Sequence, residues 1–67
     1  MVSRKKDIME KEYFVCFDTN TEYVEGFIYA EDEIDLRQQV TNVLWNYEGG
    51  HADVFDEEGE FVEDIEV

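Results

Sequence analysis

Apolar and polar residues alternate over residues 12–19, EYFVCFDT, but not cleanly. Tyr13, Val15 and Phe17 fall on one face of a strand, and Phe14 and Cys16 fall on the other. A strand that is apolar on both faces predicts a central place in its sheet. Asp18-Thr19-Asn20-Thr21 then supplies turn chemistry. Residues 22–30, EYVEGFIYA, predict a second strand. Val24, Gly26, Ile28 and Ala30 share one face, and Tyr23, Glu25, Phe27 and Tyr29 the other. Gly26 in mid-strand points to a bulge or to close approach by a helix.

The period changes to 3.6 over residues 32–48. Leu36, Val40, Val43, Leu44 and Tyr47 line one stripe of a helix. Asp32 is the expected N-cap, with Glu33 and Asp35 at the positive end of the helix dipole. Gly49 is the expected left-handed stop. Residues 51–56, HADVFD, and 60–66, EFVEDIE, predict two further strands. Glu57-Glu58-Gly59 joins them, with Gly59 left-handed after a type I turn. The expected fold is α+β: a small ββαββ domain, an antiparallel sheet with one amphipathic helix packed on one face. The same order also arises from intertwined sheets of a dimer.

Charge changes this picture more than composition does. Nineteen Asp and Glu stand against five Lys and Arg, a net −14 over 67 residues. Residues 1–11 hold Arg4, Lys5, Lys6 and Lys11 against Asp7 and Glu10 and are expected to form a flexible basic arm. Residues 12–67 hold seventeen acids and one base, Arg37, and form the acidic domain. With 43% hydrophobic and 15% aromatic residues, that domain is not an acidic disordered tail. A core of this size supplies only about 3–5 kcal/mol. The lone Cys16 forms no intrachain disulfide, and no Cys/His cluster marks a zinc site. A homodimer would add burial, although the charge on each copy opposes it. One unpaired cysteine, the lack of an apolar leader core and the lack of an apolar stretch of ~20 residues predict a cytoplasmic protein off the membrane.

A folded body this acidic repels nucleic acid and attracts a basic partner. The acids concentrate in two places. Glu31, Asp32, Glu33 and Asp35 mark the helix start, and Asp53, Asp56, Glu57, Glu58, Glu60, Glu63, Asp64 and Glu66 follow the last hairpin. Alternate residues on a strand lie roughly 6.6 Å apart, similar to successive phosphates on a nucleic-acid backbone. Asp56, Glu58 and Glu60, then Asp64 and Glu66, are therefore expected to offer a phosphate-like row to a basic groove. The plainer alternative is a solvated acidic skin that keeps a small protein in solution. In size, charge and cytoplasmic character, residues 12–67 resemble phage and mobile-element acidic proteins: anti-CRISPR proteins, antirestriction proteins and inhibitors of DNA-repair glycosylases. That resemblance is one of character. It rests on no motif and assigns no residue a role.

Ile34 and Trp45 lie opposite the apolar stripe of the helix and suggest a second contact surface, for a dimer or for an antitoxin-like, immunity-like or adaptor partner. Tyr13, Tyr23, Phe27 and Tyr29 are expected to serve core packing rather than base stacking, given their acidic surroundings. DVFDEEGEFVED does not fit a calcium loop: with Gly59 at position 6, Val54 and Ile65 fall where acids are required. His51 and Cys16 stand singly, so no catalytic pair is expected. No enzyme activity, metal or cofactor is expected.

Overall fold

A computed structural model describes residues 10–67. Strands β1 (Lys11–Thr19) and β2 (Tyr23–Ala30) precede helix α1 (Glu33–Asn46), and strands β3 (Gly50–Phe55) and β4 (Phe61–Glu66) follow it. The strands form one antiparallel sheet in the order β2-β1-β3-β4. The domain is a small α+β fold with its single helix on one face. β1 is central, as its two apolar faces predict, and it begins at Lys11, one residue earlier than expected. The rest of the expected basic arm, residues 1–9, lies outside the described residues.

The core forms between the sheet and the helix. Leu36, Val40 and Leu44 are fully buried and meet Val15, Phe17, Ala52, Val54 and their neighbours from the inner strand face. Among the described residues no polar or charged side chain is buried. Tyr13 belongs to this core, on the helix side of β1.

The helix starts where its chemistry dictates. Asp32 has extended backbone, and its carboxylate accepts from the Asp35 amide at 2.8 Å. The Asp35 carboxylate in turn accepts from the Glu31 amide at 3.1 Å. The helix ends two residues before the expected bound. Glu48, not Gly49, takes the first left-handed conformation, at φ 67°. The Asn20 side-chain amide donates to the Glu48 carbonyl at 2.8 Å, so the β1–β2 turn holds the helix exit in place. Tyr47 therefore caps the helix instead of extending its stripe.

Gly26 is neither a bulge nor a helix contact. It pairs regularly with Val15, and a Cβ there would meet nothing within 4 Å. The irregularity lies in β4 instead. Val54 pairs with Glu63 and Phe55 with Phe61, so Val62 is an extra residue in the ladder. Val62 packs against the core, and Phe61 is thereby placed opposite Phe55 on the other face. A bulge re-aims side chains in this way. The β3–β4 loop closes as expected, with the Gly59 amide donating to the Asp56 carbonyl at 3.0 Å and Gly59 at φ 85°.

Candidate functional site

Part of each acid group expected from the sequence comes together at one cavity. Glu33 from the helix start and Asp56, Glu57 and Glu58 from the β3–β4 turn line a cavity of about 420 Å³ with Glu12, Lys11, Tyr13 and Val62. The Tyr13 phenol registers this gathering. Burial pushes its pKa above the ordinary value, and Glu33, Asp56, Asp32 and Glu57 push it further. Residues more than twenty apart in sequence thus build one negative field.

Several of these acids also hold the fold. Asp32 and Asp35 cap the helix. The Asp56 carboxylate accepts from the Glu58 and Glu60 amides, both at 2.9 Å. Glu57 accepts from the Glu12 amide at 3.2 Å. Asp56, Glu58 and Glu60 consequently occupy a tight turn. They do not form the extended row expected from their spacing, because the Asp56 side chain folds the backbone back on itself. Glu63 leaves the outward-facing set altogether. It lies on the helix side with its side chain 18% exposed and pairs with Arg37. Asp64 and Glu66 do share a strand face, the one away from the helix, as Asp53 does.

Among the described residues nothing covers that outer face, and its residues fall into rows across the sheet. Phe27, Phe14, Phe55 and Phe61 are successive cross-strand partners. Their ring centroids are 5.3, 6.4 and 5.9 Å apart. Phe27 is 63% exposed and Phe61 59%. The next row is Glu25, Cys16, Asp53 and Asp64, and the one beyond it is Tyr23, Asp18, His51 and Glu66. On the other side of the phenylalanines, Tyr29 faces Glu12 and donates to its carboxylate at 3.3 Å. Tyr23 donates to Glu25 at 2.9 Å. Its pKa is raised by hydrogen bonding with Cys16 first and Glu25 second. The expectation of core packing for these aromatics therefore holds for Tyr13 alone. Tyr23, Phe27 and Tyr29 are exposed on the opposite face, because among the described residues one helix faces a sheet with two faces. A second cavity, about 440 Å³, lies on this face between Phe14, Phe27 and Phe55. It shares Glu12, Asp56 and Glu57 with the acidic end.

Asp53 and Asp64 are direct cross-strand partners, an unfavourable pairing of like charges. His51 sits beside them. Its Nδ1 lies 3.4 Å from Asp64 and its Nε2 3.4 Å from Asp18. Burial disfavours the charged imidazole, but Asp64, Asp18 and Asp53 outweigh it and raise the pKa. His51 Nδ1 is out of solvent and makes no hydrogen bond of good geometry. Donor atoms of His51, Asp53 and Asp64 lie within 4.8 Å of one another, an arrangement compatible with a metal ion as well as with a protonated histidine. Cys16 partners Asp53 rather than His51.

Ile34 is 74% exposed and Trp45 65%. They stand eleven positions apart on the helix, roughly 16 Å along the axis. They are two apolar points on one helix side, with Gln38, Thr41 and Asn42 between. Among the described residues no helix is long and apolar enough to cross a membrane.

Sequence reading missed Phe14, Phe55 and Phe61, together with Glu12, Asp18 and Glu25, as parts of an exposed surface. The available signal was the second apolar face of β1. Its direction depended on which face the helix covers.

No protein family, curated protein or solved structure matches this chain.

Proposed function

We propose that this chain is a small, non-enzymatic, acidic inhibitor acting in the cytoplasm. It binds a basic nucleic-acid-binding protein by offering carboxylates where that protein expects phosphates, as a phage or mobile-element counter-defence factor would. The observation that supports this most is the convergence of Glu33, Asp56, Glu57 and Glu58 on one end of the domain. Such a concentration opposes folding by self-repulsion, and a cationic groove would relieve it. The acids that also cap the helix and close the turn are fixed in place, which lowers the cost of ordering them on binding.

The test is capture of host proteins on the tagged chain, eluted with rising salt. Mimicry predicts a nucleic-acid-binding partner released at moderate salt, with affinity falling steeply as counterions compete. A partner that stays bound in high salt would sink this reading. The exposure of Trp45 and Ile34 supports a second one, a protein-binding module of antitoxin, immunity or dimeric adaptor type. Under that reading Trp45→Ala abolishes binding, whereas neutralising Glu33, Glu57 and Glu58 mainly slows association. Mimicry predicts the reverse ranking.

A further inference from the structure

We propose that the open sheet face is where the partner's arginines bind. Guanidinium groups stack on the Phe27–Phe14–Phe55–Phe61 row and donate to Glu25, Asp53 and Asp64 in the neighbouring row. This rests on the reading that the partner is basic, and it names both the surface and the side chain that surface selects.

The geometry has three parts. First, the four rings form an uninterrupted apolar ribbon across all four strands, with its outer members well exposed. A contiguous exposed ribbon of this kind marks a contact surface. Second, the carboxylate row runs parallel to the ribbon, one pleat repeat away, roughly 6.6 Å. A cation over a ring sits within about 6 Å of its centroid, so a stacked guanidinium reaches the carboxylates without leaving the ring. Third, the phenols on β2 hold a carboxylate on each side of the ribbon: Tyr23 donates to Glu25, in the acceptor row, and Tyr29 to Glu12 of β1 on the opposite side. Arginine fits such a site better than lysine. Its ion is flat, weakly hydrated and forked, whereas an ammonium is a hydrated point charge.

Charge decides against nucleic acid and against a second copy. Sheet faces that stack nucleic-acid bases surround their aromatics with cations; here Glu12, Glu25, Asp53 and Asp64 flank the rings. A second copy would press two such carboxylate rows together on subunits that each carry −14. A cationic segment meets neither objection. The face is also continuous with the acidic end through Glu12, Asp56 and Glu57.

The experiment measures binding of a labelled nona-arginine peptide and a nonalysine peptide of equal charge to the full chain by fluorescence anisotropy, at matched salt. Phe27→Ala with Phe61→Ala is the test variant; both side chains are exposed, and circular dichroism checks the fold. The wild type is expected to prefer arginine over lysine by about tenfold, and the variant to lose most of that preference. Glu33→Gln with Glu58→Gln should weaken both peptides equally. Equal affinity for the two peptides, or a preference that survives in the phenylalanine variant, would overturn the proposal. So would an oligothymidylate that binds the wild type and not the variant, or a dimer in sedimentation that the variant abolishes. A salt-sensitive host partner without arginine preference would leave mimicry standing and remove only this inference. Arginine preference without a nucleic-acid-binding partner would do the opposite.

Discussion

Arg37 Nη2 lies 2.8 Å from Glu63 Oε1, and Arg37 Nε faces both carboxylate oxygens at 3.2 and 3.4 Å. This two-pronged pair ties α1 to β4. It engages Arg37, the one Lys or Arg of residues 12–67, and neutralises Glu63 on the helix side. Removing the arginine leaves a largely covered carboxylate without its cation, the costlier half of such a pair to lose. Arg37→Gln is therefore expected to lower the thermal midpoint more than Glu63→Gln, as read by circular dichroism. Glu63→Gln should change affinity for a basic partner less than twofold, whereas Glu33→Gln with Glu58→Gln should cost about tenfold at low salt.

His51 makes stability depend on pH near neutrality. Its pKa in the folded protein is raised above the ordinary value by Asp64, Asp18 and Asp53, against the opposing effect of burial. The folded state therefore binds the proton more tightly than the unfolded chain does. That contribution is fully present below about pH 6.5, the unfolded value, and is lost as pH rises through the raised folded value. The thermal midpoint should fall between pH 6 and pH 8, and His51→Gln should flatten the slope. An NMR titration of the imidazole should show the raised pKa, and Asp64→Asn should bring it down.

Two glycines predict opposite outcomes. Gly50 has φ 132°, and a Cβ there would stand 2.5 Å from the Asp18 carbonyl oxygen. Gly50→Ala should destabilise by about 3 kcal/mol from strain and backbone overlap together. Gly26 is a regular strand residue with open space at its Cβ position. Gly26→Ala should stabilise by about 0.5 kcal/mol, because it restricts the unfolded chain. Chemical denaturation of the two variants checks both signs.

Asp32 and Asp56 act through oxygen atoms as well as charge. Asp32→Ala removes the N-cap and should cost about 1 kcal/mol. Asp56→Ala removes the acceptor shared by the Glu58 and Glu60 amides and should cost about 1–2 kcal/mol. The asparagine variants keep an acceptor and should stay within about 0.5 kcal/mol of wild type. Partner affinity measured on the asparagine variants then reports charge alone.

The helix and the strands were legible because each rests on a local rule. Leu36, Val40 and Leu44 recur at helical spacing, Asp32 caps its own helix, and Gly59 answers a turn. The central place of β1 followed from Phe14 lying opposite Val15 in the alternation. What stayed hidden depended on the third dimension. The helix could cover either face of the sheet, so burial of Tyr13 and exposure of Phe27 were not separable by pattern. The row Asp56, Glu58 and Glu60 was read as extended because nothing in spacing reveals that Asp56 binds two amides. Phe61 joins the aromatic ribbon only through the extra residue Val62 in β4, and a bulge leaves no trace in the order of the residues. Glu63 looks like any other surface acid until the helix brings Arg37 to it.

The sheet order has a kinetic consequence. Its two inner strands, β1 and β3, are joined by pairs such as Phe14 with Phe55, residues far apart along the chain. Each outer strand is delivered by a tight turn from its inner neighbour, so the two hairpins assemble locally. The seam between them must wait for the intervening helix to bring the hairpins together. The slow step of assembly is therefore expected to be the zipping of β1 to β3, since distant pairing forms only after the chain between has lost its freedom. Until that seam closes, each hairpin carries an unpaired inner edge. The dense negative charge that marks the finished domain also keeps those half-formed sheets from finding each other in neighbouring chains.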